Sequence, residues 1–366
     1  MADFFEKIGL FRGLTDGEVA RKGPFYVTAD ITRLCNLHCP GCRYHSTDLP
    51  DASSRGLSPR HMPLPLFEKL CDDLHSMGTA SMTISGEGEP CLHPRLLELI
   101  SQAKAAGLKL SVFTNGTLLD EKTITGMIDS QLDLLKVSLW ATSKKEYANN
   151  YPGTPPEYFD RVLRSLRLVS DLKARRGSRL PQVKLHQPVD RRNWESMGSL
   201  LDIAKRTGCD IVSFSPFKTQ NHMFAPLLPS RHEMQQIQQR LSALRKKSEH
   251  LSLDHTIDTT LLRYKIGGAV WRKLPCYIGW LHARIKPDGS VLPCNSYGIP
   301  LGNLYREELK AIWNGPGYRR FRRQSMSREG IAAIAGRFDC FFCCHVNDNL
   351  RVHRVYRWIA PFLNKG

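Results

Sequence analysis

Short strand-like segments alternate with amphipathic helical segments over more than half of the chain, and this alternation limits the possible folds. The strand candidates are Phe25–Thr32, Ala80–Ser85, Leu108–Thr114, Asp133–Trp140, Gln182–Gln187 and Asp210–Phe217. Helix candidates lie between them at 63–77, 94–106, 119–130, 157–176 and 193–207. Strands that alternate with helices form right-handed βαβ units around a parallel sheet. We therefore predict an α/β fold whose main unit is a partial (β/α)6 barrel, with an open doubly wound sheet as the alternative.

The sequence changes character after the sixth strand. A polar helix candidate at 230–250 precedes a region that holds five of the eleven cysteines. That region contains a hairpin signal, because Asp288-Gly289 separates two short apolar runs. We expect a lead segment at 1–24, the barrel at 25–235, a helical linker at 236–275 and a small cysteine-rich α+β domain at 276–366.

Charge and hydropathy narrow the classes of function. Fifty-two Lys and Arg against 35 Asp and Glu give a formal net charge of +17, which favours an anionic partner or substrate. No apolar run reaches the ~18 residues of a transmembrane helix, and the N-terminal segment lacks the apolar core of a secretory signal. We therefore expect a cytoplasmic protein. The basic C-terminus, RVHRVYRWIAPFLNKG, could contact a membrane surface, but we favour a helix that packs on the barrel.

Three cysteines follow the first strand directly, in the spacing Cys35-x3-Cys39-x2-Cys42. In a reducing compartment, clustered cysteines indicate metal or redox chemistry, and thiolates suit zinc or iron–sulfur clusters. His38 or His45 could complete a structural zinc site. An iron–sulfur cluster with three thiolates would instead leave one iron open. The loop lies at the C-terminal end of a barrel strand, where catalytic groups collect, so we favour a catalytic centre.

The motifs that follow the cysteines resemble those of the radical S-adenosylmethionine superfamily. The second strand ends in SGEGEP at 85–90, which is similar to the family's glycine-rich segment for the methionine part of the cofactor. The third strand ends in Thr-Asn-Gly at 114–116, and Ser138 stands on the fourth. Gly41 occupies the position where the family usually has an aromatic residue; Tyr44 is the candidate substitute, or it packs over the loop. The resemblance implies that the cofactor is bound by Tyr44, Gly86, Glu87, Gly88, Glu89, Pro90, Asn115 and Ser138.

The resemblance also implies the chemistry of the barrel. Cys35, Cys39 and Cys42 would hold a catalytic 4Fe–4S cluster whose open iron is chelated by S-adenosylmethionine. One electron from the cluster cleaves the sulfonium, and the resulting 5′-deoxyadenosyl radical abstracts a hydrogen atom from the substrate. An electron donor such as flavodoxin or ferredoxin would then be required.

A second group of cysteines stands downstream, at 276, 294, 340, 343 and 344. Alone, two cysteine pairs could form a structural zinc site. After such a barrel, the pattern resembles a shortened SPASM, or twitch, extension. It implies one auxiliary 4Fe–4S cluster held by Cys276, Cys294, Cys340 and Cys343, with Cys344 as the alternative to Cys343. Four protein thiolates leave no open iron, so we expect this cluster to take an electron, which favours an oxidation.

The expected function is therefore the oxidation of a small-molecule substrate, such as a sugar, an aminocyclitol or another natural product. His186, at the end of the fifth strand, is the candidate base for a substrate hydroxyl, with a structural histidine as the alternative. Within the superfamily, the other possibilities are a peptide maturase and a redox-neutral epimerase or dehydratase. A zinc-binding nucleic-acid-binding protein would use the charge and the cysteines. It does not explain the strand cadence, and no nucleic-acid-binding signature appears, so we expect no specific nucleic acid.

Overall fold

The computed structural model describes residues 10–46, 59–219, 222–338 and 340–363. Its centre is a ten-stranded sheet in the order β10-β9-β8-β1-β2-β3-β4-β5-β6-β7. The strands are β1 Tyr26–Asp30, β2 Ser81–Ser85, β3 Lys109–Thr114, β4 Leu134–Ser138, β5 Gln182–Val189, β6 Ile211–Pro216, β7 Asp254–His255, β8 His282–Ile285, β9 Ser290–Leu292 and β10 Gly302–Asn303. All pairs from β8 through β1 to β7 are parallel, whereas β9 pairs antiparallel with both β8 and β10.

Helices cover the outer face of this sheet and extend over its C-terminal part. They are α1 Leu64–Ser76, α2 Leu96–Ala105, α3 Glu121–Asp129, α4 Lys144–Asn150, α5 Tyr158–Arg175, α6 Met197–Arg206, α7 Arg231–His250, α8 Ile257–Ile266, α9 Leu309–Trp313, α10 Pro316–Met326, α11 Arg328–Arg337 and α12 Val346–Leu363. Residues 10–16 are also helical. Short 3-10 turns lie at Pro90–Leu92, His222–Leu227, Gly267–Arg272 and Ile278–Trp280.

Local sequence signals account for several helix boundaries. The side chain of Asp120 accepts from the backbone N–H of Thr123 at the start of α3. Ser230 and Glu233 form a reciprocal capping box at the start of α7. Along α5, apolar residues recur every three or four positions and are buried against the sheet. These signals determine where the helices begin and which face they bury, and thereby help to define the ends of the neighbouring strands.

The two faces of the barrel strands differ in polarity. On β4, Leu135 and Val137 are fully buried, whereas the alternating residues Leu134, Lys136 and Ser138 are half-buried. Alternation along a strand sends successive side chains to opposite faces. The rings of Phe113 on β3 and His186 on β5 lie 5.7 Å apart across the intervening β4. The half-buried residues therefore line the concave interior of the barrel.

The predicted fold class is confirmed. The six predicted strands form the parallel series β1 to β6, and each predicted helix lies within four residues of an observed one. The predicted hairpin is also present, with Gly289 at φ 75° in its turn. Its first strand, β8, pairs in parallel with β1, so the C-terminal region continues the sheet of the barrel. No helix among the described residues is long and apolar enough to cross a membrane.

Candidate active site

The loop with the first three cysteines is docked against the turn that follows β2. The N–H of Glu89 donates to the carbonyl of Leu34 at 2.7 Å, and a ring nitrogen of His45 lies 2.7 Å from the carbonyl oxygen of Glu87. Gly88 makes this contact possible, because a Cβ there would lie 2.2 Å from the Leu34 carbonyl oxygen. The glycine-rich turn therefore shapes the cysteine loop, as well as the space beside it.

The chemistry of this loop fits an iron–sulfur cluster. Burial raises the pKa of the Cys35 thiol to about 12 and raises the pKa values of Cys39 and Cys42 as well. The charges of Cys42 and Cys35 add to the increase at Cys39, so the three thiols are close enough to act on one another. Buried thiols of this kind ionise when a bound metal supplies positive charge. In the described part of the chain, no three His, Cys, Asp or Glu side chains are grouped as ligands of a single metal ion.

Glu87 forms the centre of a buried ion-pair network. Its carboxylate receives Arg33 Nε at 2.9 Å and Lys286 Nζ at 2.6 Å. The guanidinium of Arg33 also contacts Asp288 at 2.7 Å. The network joins the cysteine loop, the turn after β2 and the β8–β9 hairpin. Both carboxylate oxygens of Glu87 are engaged in ion pairs, so a contact between Glu87 and the cofactor would have to come from its backbone. That contact stays a prediction.

Glu89 and Asn115 connect the ends of β2 and β3. The buried carboxylate of Glu89 accepts from the N–H of Asn115 at 2.7 Å and from the N–H of Cys91 at 3.1 Å, and burial raises its pKa. The side chain of Asn115 donates to Asn36, within the cysteine loop, at 2.9 Å. Gly86, at φ 128°, and buried Pro90 complete the turn. Three predicted motifs therefore meet at one edge of the barrel, and their cofactor contacts stay predictions.

Tyr44 and Ser138 have protein partners that the sequence did not reveal. The Tyr44 hydroxyl accepts from Arg284 at 3.0 Å, and Arg284 forms an ion pair with Asp30. Burial raises the pKa of Asp30 to about 6, although Arg284 acts in the opposite direction. Ser138 accepts from the indole N–H of Trp140 at 3.1 Å. Asp30 and Arg284 escaped sequence analysis because nothing local indicates that β8 pairs with β1.

His186 lies inside the barrel, as its place at the end of β5 predicts. Its two ring nitrogens lie 2.7 Å from the Ser213 hydroxyl and 3.2 Å from the Ser215 hydroxyl. Burial lowers the pKa of His186 well below its ordinary range, and the charge of Lys136 acts in the same direction. The imidazole is therefore neutral at physiological pH. Its role as a base stays a prediction.

The second cysteine group meets in an apolar pocket of the C-terminal region. Cys276, Cys294, Cys340 and Cys343 all line this pocket, together with aromatic residues that include Tyr297 and Phe338. Cys344 is not among the lining residues; its thiol accepts instead from the Asn295 side chain, with a separation of 3.8 Å. The four predicted auxiliary ligands are thus brought together. The arrangement supports Cys343 rather than Cys344 as the fourth ligand.

The two cysteine regions are directly connected. Arg43, which follows Cys42, donates to the carbonyl of Asn295 at 3.0 Å, and Asn295 follows Cys294. Lys218, after β6, donates to Ser296 at 2.7 Å. The Arg43 bond joins the loop of one cysteine group to the loop of the other, and the Lys218 bond joins the end of β6 to the second loop. The arrangement provides a short protein bridge between the two predicted clusters.

Comparisons with known proteins match both regions. Residues 30–181 match the Radical SAM superfamily, and residues 276–343 match SPASM, an iron–sulfur cluster-binding domain. The "PqqA peptide cyclase" of Gluconobacter oxydans (strain 621H) is 26% identical over 314 residues, which cover 82% of this chain and 79% of the relative. The protein of the same name from Xanthomonas campestris pv. campestris (strain 8004) is 26% identical over 317 residues, covering 82% and 76%.

Solved structures show a similar fold. Streptococcus suis SuiB bound to S-adenosylmethionine matches with a TM-score of 0.64 and 15% identity, over 85% of this chain and 72% of that one. Native anSMEcpe with bound AdoMet matches with a TM-score of 0.63 and 16% identity, over 93% and 99%. The cofactors are S-adenosylmethionine, a catalytic 4Fe–4S cluster and an auxiliary 4Fe–4S cluster. With both family matches falling on the regions that carry the two cysteine groups, the chain belongs to the radical S-adenosylmethionine superfamily and carries a SPASM-type C-terminal domain.

Proposed function

We propose that this enzyme modifies a peptide substrate by radical chemistry. The observation that carries the proposal is the match to proteins named PqqA peptide cyclase, which extends over 82% of this chain and more than three quarters of each relative cited. The sequence favoured the oxidation of a small molecule; that interpretation is corrected, and it becomes the second candidate. The comparisons support peptide substrates for the relatives, which the cysteine spacing could not indicate.

When bound, the two clusters and S-adenosylmethionine supply a 5′-deoxyadenosyl radical and an electron acceptor. The protein's part is to hold these groups and orient the peptide. Cys35, Cys39 and Cys42 would hold the catalytic cluster, and the carboxylate of Glu89 fixes the two strand ends beside it. The curved sheet surrounds the reacting bond with protein and thereby excludes water. Neutral His186 is held inside the barrel by the hydroxyls of Ser213 and Ser215.

The residues also support an outcome in which the substrate loses two hydrogen atoms. Ring closure between two carbons removes one hydrogen atom by abstraction; the second leaves as a proton and an electron. A cluster with four protein thiolates suits the role of electron acceptor, since it leaves no iron for the substrate. We propose a reduced flavodoxin or ferredoxin as the external donor. The net charge of +17 favours such an acidic partner.

The proposal is tested by anaerobic incubation with S-adenosylmethionine and dithionite. One set of reactions receives a pool of synthetic peptides and a matched set receives a pool of sugars and aminocyclitols. We expect the peptide pool to increase 5′-deoxyadenosine formation and to contain products that lack two hydrogens. The triple variant Cys35→Ala, Cys39→Ala and Cys42→Ala is the control, because it retains no thiolate for the catalytic cluster. Stimulation by the small-molecule pool alone would restore the dehydrogenase interpretation.

A further inference from the structure

Two lysines and a phenylalanine form a row across the interior face of the barrel, halfway along the strands. Phe113 on β3, Lys136 on β4 and Lys184 on β5 are direct register neighbours in the parallel sheet. Neighbours in register point to the same face. Lys136 Nζ lies 4.2 Å from the centre of the Phe113 ring, on the concave side where Phe113 also meets His186. Two lysines therefore stand side by side inside the barrel.

A third cation, Arg263 on α8, adds its positive charge to the surroundings of Lys136. Burial lowers the pKa of Lys136, and the charges of Lys184 and Arg263 contribute to the decrease, which brings the value to about 8. The pKa of Lys184 is also lowered by burial. Cys344, in the loop before α12, is the group whose charge acts in the opposite direction on Lys136. The same three cations lower the pKa of His186.

These cations lack a carboxylate partner within the described residues. None of the ion pairs there includes Lys136, Lys184 or Arg263. The guanidinium of Arg263 donates once, to the carbonyl of Phe342 at 2.7 Å, and its Nε is buried without a hydrogen-bond partner. Uncompensated charge in a protein interior is costly unless a ligand neutralises it. The arrangement is that of an anion-binding site.

The location relates this site to both cysteine groups. Phe342, which accepts from Arg263, immediately precedes Cys343 in the auxiliary pocket. Ser138, predicted to contact the cofactor, lies two residues beyond Lys136 on the same strand, about 7 Å along it at the usual rise per residue. An anion bound at Lys136 would therefore lie between the catalytic edge of the barrel and the auxiliary domain.

We propose that Lys136, Lys184 and Arg263 bind a carboxylate of the substrate, and thereby position the residue that reacts. The inference rests on the proposed function, because the anionic group that an unmodified peptide carries is a carboxylate. It names the substrate class more closely: a peptide with an Asp or Glu side chain, or a C-terminal carboxylate, next to the site of hydrogen abstraction. A neutral amide in the same place would leave the cations unpaired.

Chemical labelling of the holoenzyme tests the site without turnover. Methyl acetimidate reacts with unprotonated amines, so the lowered pKa of Lys136 favours its labelling, and the exposed Lys246 on α7 serves as the reference. Labelling at each lysine is measured by mass spectrometry, without reductant. The probes are Ac-Ala-Glu-Ala-NH2, its neutral isostere Ac-Ala-Gln-Ala-NH2, Ac-Ala-Gln-Ala-OH and S-adenosylmethionine alone.

We expect the glutamate peptide at saturation to slow labelling of Lys136 about tenfold, the equivalent of one charge-assisted contact. The glutamine amide should leave Lys136 unprotected, and Lys246 should be unaffected. Protection by the peptide with a free C-terminus would assign the carboxylate to that source. Equal effects of the glutamate and glutamine amides, no protection by any peptide, or complete protection by S-adenosylmethionine alone would overturn the proposal.

A stability measurement separates this role from a structural one. Lys136→Met keeps the side-chain volume but removes a buried charge that has no carboxylate partner among the described residues, so the unfolding temperature of the holoenzyme should rise by a few degrees. Lys246→Met removes an exposed charge and should leave it unchanged. A fall in stability for Lys136→Met would show that the lysine supports the barrel, and the inference would fail. Neither measurement requires catalysis. The anion-site proposal can therefore be refuted while peptide modification is confirmed, and peptide modification can be refuted while the anion site is confirmed.

Discussion

At the scale of single residues, Gly88 determines whether the cysteine loop can lie against the turn after β2. A Cβ at this position would lie 2.2 Å from the Leu34 carbonyl oxygen and 2.8 Å from the Leu34 nitrogen, so backbone would have to move. Gly88→Ala should therefore lose most of the catalytic cluster's iron and most 5′-deoxyadenosine formation, while circular dichroism shows a folded barrel. Gly336→Ala on α11, where a Cβ meets nothing within 4 Å, is the matched control. Full iron loading in Gly88→Ala would contradict this account.

Lys136 provides a prediction about pH. Its pKa of about 8 in the folded protein lies below the 10.5 of an ordinary lysine, so folding carries a cost while the side chain is protonated. That cost is fully present below pH 8 and disappears as the pH rises toward 10.5. The stability advantage expected for Lys136→Met should therefore be largest near pH 7 and should shrink above pH 8. Thermal unfolding of both holoproteins from pH 7 to pH 9.5 measures it; a gap that is independent of pH would contradict the sign of the shift.

Residues differ in how far the sequence could identify them. The three cysteines of the first loop were predictable because their spacing is local and their place after β1 follows from the strand pattern. His186 was predictable in position, but its serine partners on β6 were not. Lys136 gave no signal, since a lysine within a strand usually lies on a solvated face. Its significance arises only when β4 and β5 bring it beside Lys184.

At the scale of elements, periodic segments were predictable and long-range pairings were not. Strands β1 to β6 alternate apolar and polar residues or form short apolar runs, so their existence follows from the sequence. Helix α4, KKEYANN, is seven residues long and mostly polar, and it was missed. Strand β8 pairs with β1 across more than 250 residues of sequence, so no local pattern could reveal it. The Glu87 network, which joins both regions to the cysteine loop, depends on that pairing.

The auxiliary pocket should be separable from radical generation. Replacing Cys276 and Cys294 with alanine removes two of its four thiols, whereas the catalytic thiols lie on a different loop. We expect the double variant to retain a substantial part of 5′-deoxyadenosine formation but to lose most peptide product, because the substrate radical would lack an electron acceptor. The readout is the ratio of modified peptide to 5′-deoxyadenosine.

Cluster ligands also stabilise small domains, so this variant needs a folding control. It must retain the iron of the catalytic cluster and the unfolding transition of the barrel. If cleavage and product then fall by the same factor, the auxiliary cluster is structural. Undiminished product would make it dispensable and would remove the oxidation from the proposed reaction.

At the scale of the whole molecule, the barrel and the C-terminal region are one continuous sheet with two cysteine groups. Contacts between the regions include specific polar ones: Arg33 reaches Asp288, and Arg43 reaches the carbonyl of Asn295. The auxiliary region therefore does more than follow the barrel in sequence. It also supports the catalytic loop, so contacts from the C-terminal region should affect how well the catalytic cluster is loaded.

Iron content tests that relationship. The reconstituted chain should hold two four-iron clusters, the triple cysteine variant of the first loop one, and the Cys276→Ala, Cys294→Ala variant one. The two clusters share no thiol ligand, so each variant should lose only the iron of the cluster whose ligands it lacks. Glu87→Gln weakens the ion-pair network but leaves every thiol in place. It should lower loading of the catalytic cluster more than that of the auxiliary cluster, because the network holds the turn against which the first loop docks. Iron analysis combined with electron paramagnetic resonance of the reduced protein distinguishes the two sites. Unchanged loading in Glu87→Gln would mean that the cysteine loop keeps its shape without the ion pairs, and would contradict the role given to the network.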